Sequence, residues 1–169
     1  RNLRNLIRRF DGLRAQLAHA TARPLIDAAE LQLLHYEKGG FYRRHVDDGV
    51  GTIDRHVRRS ISFLCYLTPS DWAPADGGYL RAHLDNGSTV DIPPAAGSLV
   101  LFDSTTVPHE VMPTHRDRIA CVGWFMCARD TDISQTARDL GSERIAAGRA
   151  ASMCQIAVAR TLWRTCRPP

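Results

Sequence analysis

A chain of 169 residues, 44% apolar and 24% charged, suits one domain with a core wide enough to enclose a pocket, and no apolar run approaches the length of a membrane helix. The net charge of +4 comes from scattered arginines, with Lys38 the only lysine; no aromatic-basic platform accompanies them, so nucleic acid is not an expected partner. Five cysteines (Cys65, Cys121, Cys127, Cys154, Cys166) are odd in number and form no CxxC pair, which argues against a zinc knuckle or a disulfide framework and for a reducing, cytoplasmic setting.

No secretory segment opens the chain, and its first residue, Arg1, leads us to expect that the true start and any targeting peptide lie upstream. Leu3, Leu6, Ile7, Phe10, Leu13 and Leu17 then recur at helical spacing, with Arg4, Arg8, Arg9 and Arg14 mostly on the other face. Residues 1–30 are therefore expected to form a helical support packed on a sheet. From residue 31 the texture changes to short β-type runs: "LQLLHY", "FYRRHVD", "RSISFLCYLT", "GGYLRAHL", "STVDI", "GSLVLF", "HEVM" and "RIACVGWFMC". The fourth and fifth flank "DNG", a strong hairpin signal. Eight strands without helices between them predict an antiparallel sandwich or jelly roll over residues 31–130, of the mainly β class. The Arg/Ala-rich stretch 131–169 is predicted to be a helical or partly disordered tail.

Within "RRHVDDGVG", His45 and Asp47 sit two positions apart, so on a strand both side chains leave the same face. The chain holds a second such pair, His83 and Asp85, but Asp85 opens "DNG", where an aspartate is favoured for turn chemistry. A third ligand is expected from His109 in "VPHEVMP"; His115, in the polar turn "PTHRDR", reads as solvated. Two imidazoles and one carboxylate on one side of a metal suit Fe(II) and leave three positions open, unlike a closed structural zinc site. Nine residues after His109, Arg118 begins an apolar strand; pointing inward, it would need an anion such as a dicarboxylate. Arg116 shares its parity but lies in the preceding turn and is the lesser candidate.

"YEKGGFYRRHVDDG", "RRSISFLCYLTPSDWAPADGGYLR", "PPAAGSLVLFDSTTVPHEVMP" and "HRDRIACVGWF", in this order over residues 31–127, resemble the prolyl 4-hydroxylase-like 2-oxoglutarate/Fe(II) dioxygenases, bacterial and egl-nine-type. The resemblance implies a double-stranded β-helix, with His45, Asp47 and His109 as iron ligands and Arg118 holding the distal carboxylate of 2-oxoglutarate. It implies that the Tyr66 hydroxyl assists that carboxylate and that Tyr36 lies near the co-substrate. Fe(II), 2-oxoglutarate and O2 are the implied cofactors, with ascorbate (vitamin C) a candidate reductant. The implied reaction hydroxylates a C–H bond and releases succinate and CO2; a prolyl residue of a protein or peptide is the expected substrate, with free proline or another small molecule open. Val122 departs from the pattern, standing where relatives often carry threonine. An AlkB-like nucleic acid demethylase and a non-catalytic metal-binding jelly roll are the alternative readings.

Other positions have plainer expectations. Gly77 and Gly78 read as a tight lead into the next strand and Trp124 as core. Arg59 and Tyr42 read either as the substrate mouth or as simple surface. The polar stretch 48–58 is expected to be a mobile lid.

Overall fold

The computed structural model describes residues 2–47, 56–129 and 156–159. Helix α1 (Asn2–Thr21) is followed by β1 (Leu25–Tyr36), β2 (Tyr42–His45) and β3 (Val57–Tyr66). A 3-10 turn at Pro74–Asp76 leads to β4 (Leu80–His83) and β5 (Thr89–Ile92). The chain continues through β6 (Leu99–Asp103), β7 (His109–Val111), β8 (Arg118–Ala128) and β9 (Ile156–Ala159). All pairings are antiparallel, in a five-stranded sheet ordered β1-β8-β3-β6-β9 and a four-stranded sheet ordered β2-β7-β4-β5. This is the jelly-roll architecture expected from the strand pattern.

The alternation along β3 and β8 explains the layering. Leu64, Tyr66, Ala120, Val122 and Trp124 face the smaller sheet and join Leu80, Ala82 and Val111 in one core. Ile61, Phe63, Cys65, Cys121 and Phe125 face the other way and pack with Phe10, Leu6, Leu13 and Leu17 of α1. The helix thus buries Phe10 and half-buries Leu6, Leu13 and Leu17, while Ile7 stays exposed; a fully buried side chain of this size contributes about 1.5–3 kcal/mol. Phe63 lies between Phe10 and Phe125, with ring centroids 4.6 and 4.7 Å away. Gly123 makes the room: a Cβ there would sit 2.3 Å from Phe63 Cζ and 2.5 Å from the Glu30 carbonyl oxygen.

Two elements differ from the sequence reading. β1 starts at Leu25, inside the stretch assigned to the helical support, because "LIDAAELQLLHY" pairs along its length with β8 across a bulge between Leu25 and Ala29. Within the predicted helical tail, Ile156–Ala159 is a strand paired with β6; the open edge of β6 supplies backbone partners that outweigh the helix preference of alanine. The remaining tail residues, 130–155 and 160–169, lie outside the described residues, as do 48–55 of the expected lid. Among the described residues Cys65, Cys121 and Cys127 are buried and form no disulfide, and no helix is long and apolar enough to cross a membrane. The "DNG" hairpin forms as expected, with Gly87 at φ +79° and Ser88 N–H donating to Asn86 Oδ1 at 3.0 Å.

Candidate active site

Between the sheets lies a cavity of about 310 Å³ with two chemically distinct regions. His45 ends β2 and His109 starts β7, directly opposite each other in register, with ring centroids 4.3 Å apart. Asp47 follows β2, and ligand atoms of all three residues lie within 4.8 Å of one another. His45 Nε2 is 3.3 Å and His109 Nε2 3.8 Å from Asp47 Oδ1.

The hydrogen bonds behind these groups aim them. His45 Nδ1 lies 2.8 Å from the Arg43 carbonyl and His109 Nδ1 3.0 Å from the Val107 carbonyl. A carbonyl can only accept, so in each ring Nδ1 carries a proton and Nε2 is the nitrogen turned toward Asp47. Asp47 Oδ2 accepts from Ser62 Oγ at 2.5 Å, Ser62 Oγ lies 2.8 Å from Ser104 Oγ, and Asp47 N–H donates to the Ser104 carbonyl at 3.1 Å. Burial pushes the Asp47 carboxyl up, but His45, the charge of His109 and the Ser62 hydroxyl outweigh it, leaving the group at about 2. Burial pushes the His109 imidazole down, favouring its neutral, ligating form. One carboxylate and two aimed imidazoles fit a divalent metal such as Fe(II) with positions left open.

The other region centres on Arg118, opposite Tyr36 in the β1–β8 register and fully buried. Its Nε–H donates to the Gly78 carbonyl at 2.9 Å, while Nη1 and Nη2 have no hydrogen-bond partner among the described residues. The guanidinium carbon lies 5.0 Å from the Tyr66 ring and 5.3 Å from the Tyr36 ring. The Tyr66 hydroxyl is also buried with no hydrogen-bond partner among the described residues, and burial pushes the phenol up against the pull of Arg118, so it keeps its proton to donate. The guanidinium edge and the phenol offer N–H and O–H donors side by side, a set whose chemistry suits a carboxylate.

The structure therefore brings together His45, Asp47, His109, Arg118, Tyr66 and Tyr36, and sets the rivals elsewhere. His83 pairs with Glu110 at 3.0 Å. Arg116 turns outward to Asp71 (3.3 Å) and Asp76 (3.2 Å), and His115 is exposed. Trp124 belongs to the core but also walls the cavity, where its Nε1–H has no partner. Tyr42 is half exposed at the cavity, edge-on to His45. Arg59 is not surface: it lines the cavity, is buried, pairs with Glu30 Oε2 at 2.5 Å and stacks 3.7 Å over the Trp124 ring. Val122 lines the cavity with an apolar side chain where a hydroxyl had been expected by resemblance.

Sequence reasoning missed Ser62, Ser104, Glu30 and the role of Gly78. Ser62 left a signal: it shares parity with Leu64 and Tyr66, making it a polar residue on the inward face of an apolar strand. Glu30 and Arg59 left none, being 29 residues apart.

Residues 31–126 match the family described as the 2OG-Fe(II) oxygenase superfamily. A PKHD-type hydroxylase of Synechococcus sp. (strain JA-2-3B'a(2-13)) is 37% identical over 107 residues, 57% of this chain and 45% of that protein. A hypoxia-inducible factor prolyl hydroxylase of Caenorhabditis elegans is 34% identical over 140 residues, 73% of this chain and 19% of that protein. The chain thus spans less than half the length of either relative. Among solved structures, a Pseudomonas putida prolyl-4-hydroxylase superposes with a TM-score of 0.62 at 40% identity, covering 70% of this chain and 63% of that one. A Trichoplax adhaerens prolyl hydroxylase, solved with a hypoxia inducible factor oxygen degradation domain peptide fragment, superposes with a TM-score of 0.52 at 28% identity, covering 66% and 49%.

Proposed function

The chain belongs to the 2OG-Fe(II) oxygenase superfamily, and from that premise and the two regions of its cavity we propose that it hydroxylates a prolyl residue in a protein or peptide, with 2-oxoglutarate and O2 as co-substrates. The observation that carries this reading is the fully buried Arg118, whose Nη1 and Nη2 have no hydrogen-bond partner among the described residues and which lines the same cavity as His45, Asp47 and His109. A bare metal-binding jelly roll has no use for such a costly unpaired charge. The prolyl substrate is supported by the names of the relatives, and a peptide by the Trichoplax complex.

His45 Nε2, His109 Nε2 and an Asp47 carboxylate oxygen would hold Fe(II). When bound, the iron and 2-oxoglutarate supply the oxidising chemistry, with succinate and CO2 released. Arg118 takes the distal carboxylate of 2-oxoglutarate with its two free N–H directions, and Tyr66 donates to the same group. Ser62 and Ser104 hold the Asp47 carboxylate in one orientation, so no reorganisation is needed when the metal arrives. Leu80, Val111 and Val122 keep water from the stretch of cavity they line.

The test is mass spectrometry of prolyl peptides incubated with Fe(II) and 2-oxoglutarate. The expected result is a gain of one oxygen on proline, abolished by His109→Ala. Succinate formation with no oxygen gain on any prolyl peptide would sink the prolyl assignment while leaving the oxygenase; no succinate at all would sink both.

A further inference from the structure

The Gly77–Gly78 pair does more than lead the chain into β4. Both residues have φ +67°, a left-handed conformation that side chains rarely adopt. Gly78 presents its carbonyl to Arg118 Nε–H at 2.9 Å, the one hydrogen bond that the guanidinium makes among the described residues. A Cβ on Gly78 would lie 3.0 Å from Arg118 Cδ, 3.1 Å from Thr114 Oγ1 and 3.2 Å from Thr114 Cβ. Thr114 cannot yield easily. It is fully buried, its hydroxyl donates to the Arg116 carbonyl at 2.6 Å, and its backbone bonds Gly39 (2.7 Å) and Gly40 (3.0 Å). The Gly78 N–H is itself held by the Pro113 carbonyl at 3.0 Å. Two segments, 39–40 and 113–116, thus brace Gly78 behind the guanidinium.

We infer that Gly78 is a positioning residue for co-substrate binding: its carbonyl and its missing side chain set the direction of the Arg118 fork. This rests on the proposal that Arg118 receives the distal carboxylate of 2-oxoglutarate. A planar fork makes two parallel bonds only when its plane and tilt match the carboxylate, and Nε is the pivot that fixes both. With Nε tied to Gly78, the unpartnered Nη1 and Nη2 are held ready before the ligand enters. With a Cβ on Gly78, the Arg118 Cδ–Nε segment must move by a few tenths of an ångström and the fork tilts. The sequence signal is "GGYL", otherwise readable as a simple turn.

The experiment is a double-mutant cycle on 2-oxoglutarate affinity, by anaerobic titration of the Fe(II)-loaded protein with Gly78→Ala, Arg118→Lys and the double variant. Gly78→Ala is expected to weaken 2-oxoglutarate about tenfold, to raise its KM more than it lowers kcat at saturation, and to leave Fe(II) affinity unchanged. In the Arg118→Lys background, which has no Nε–H to hold, Gly78→Ala should add almost nothing. Full additivity, or an unchanged affinity in Gly78→Ala alone, would overturn the inference. An unchanged affinity in Arg118→Lys would instead overturn the underlying assignment of Arg118. If Gly78→Ala does not fold, the wild-type protein still decides the matter: the Arg118 Nε–H, followed by NMR, should exchange slowly without 2-oxoglutarate, and fast exchange refutes a preset fork.

Discussion

Replacing Arg118 should separate two effects of opposite sign. In the co-substrate-free protein its Nη1 and Nη2 are buried without partners, so the guanidinium is a cost to the fold. Arg118→Met keeps most of the volume and removes that charge, at the expense of the bond to the Gly78 carbonyl, worth about 1 kcal/mol. Leaving a buried charge uncompensated costs about 3–5 kcal/mol, so its removal outweighs the lost bond and Tm without co-substrate should rise. Binding of 2-oxoglutarate behaves otherwise. A desolvated charge pair that loses one partner costs about 3–5 kcal/mol. At about 1.4 kcal/mol per tenfold, affinity should fall by roughly two to three and a half orders of magnitude. Arg118→Lys should recover only part of this, since an ammonium cannot form the planar fork. Tyr66→Phe should lose about 1 kcal/mol. Isothermal titration of the anaerobic Fe(II) protein, with Arg116→Ala as a control, reads all of them. If Arg116→Ala is the crippling change and Arg118→Met binds like wild type, the register that turns Arg118 inward is wrong and the carboxylate site falls with it.

Metal binding should depend on Asp47 and its support: Asp47→Ala abolishes Fe(II) binding in an equilibrium titration, Ser62→Ala weakens it about 10–100-fold, and Asp85→Ala leaves it intact. Gly123→Ala forces a Cβ against Phe63 and the Glu30 carbonyl, so chemical denaturation should show a loss of about 1–3 kcal/mol or more. Arg23, Thr105 and the Thr105 N–H hold Asp103 below its ordinary value of 3.8 even though burial pushes it up. A carboxyl depressed in the folded state stabilises above its unfolded value, and that contribution is lost as the pH falls through the lower folded one. The stability of Asp103→Asn measured against pH should therefore be lower than wild type near neutrality and converge with it below 3.8.

Much of this arrangement was legible in the sequence, for identifiable physical reasons. Strand alternation and turn chemistry located the eight sheet segments between residues 31 and 128, and the turn role of Asp85 separated the two HxD pairs. Arg118 could be picked out because a cation opening an apolar strand needs an anion if it points inward, and the family resemblance gave that anion a chemistry. Non-local facts were not legible. Leu25–Ala29 reads as ambiguous until β8 pairs with it, and Ile156–Ala159 until the β6 edge receives it. The Arg59–Glu30 pair joins strands that only the sheet order makes close. Gly78 looked like turn punctuation because its carbonyl partner lies 40 residues away.

The most direct test of the central claim is the fate of oxygen. The Fe(II)-loaded protein is incubated with 2-oxoglutarate, prolyl peptide and isotopically labelled O2, and both products are weighed by mass spectrometry. One labelled atom in succinate and one on the peptide is the result expected of a pocket that holds metal and 2-oxoglutarate together. Labelled peptide with unlabelled succinate, or 2-oxoglutarate left unconsumed while the peptide is oxidised, would contradict it.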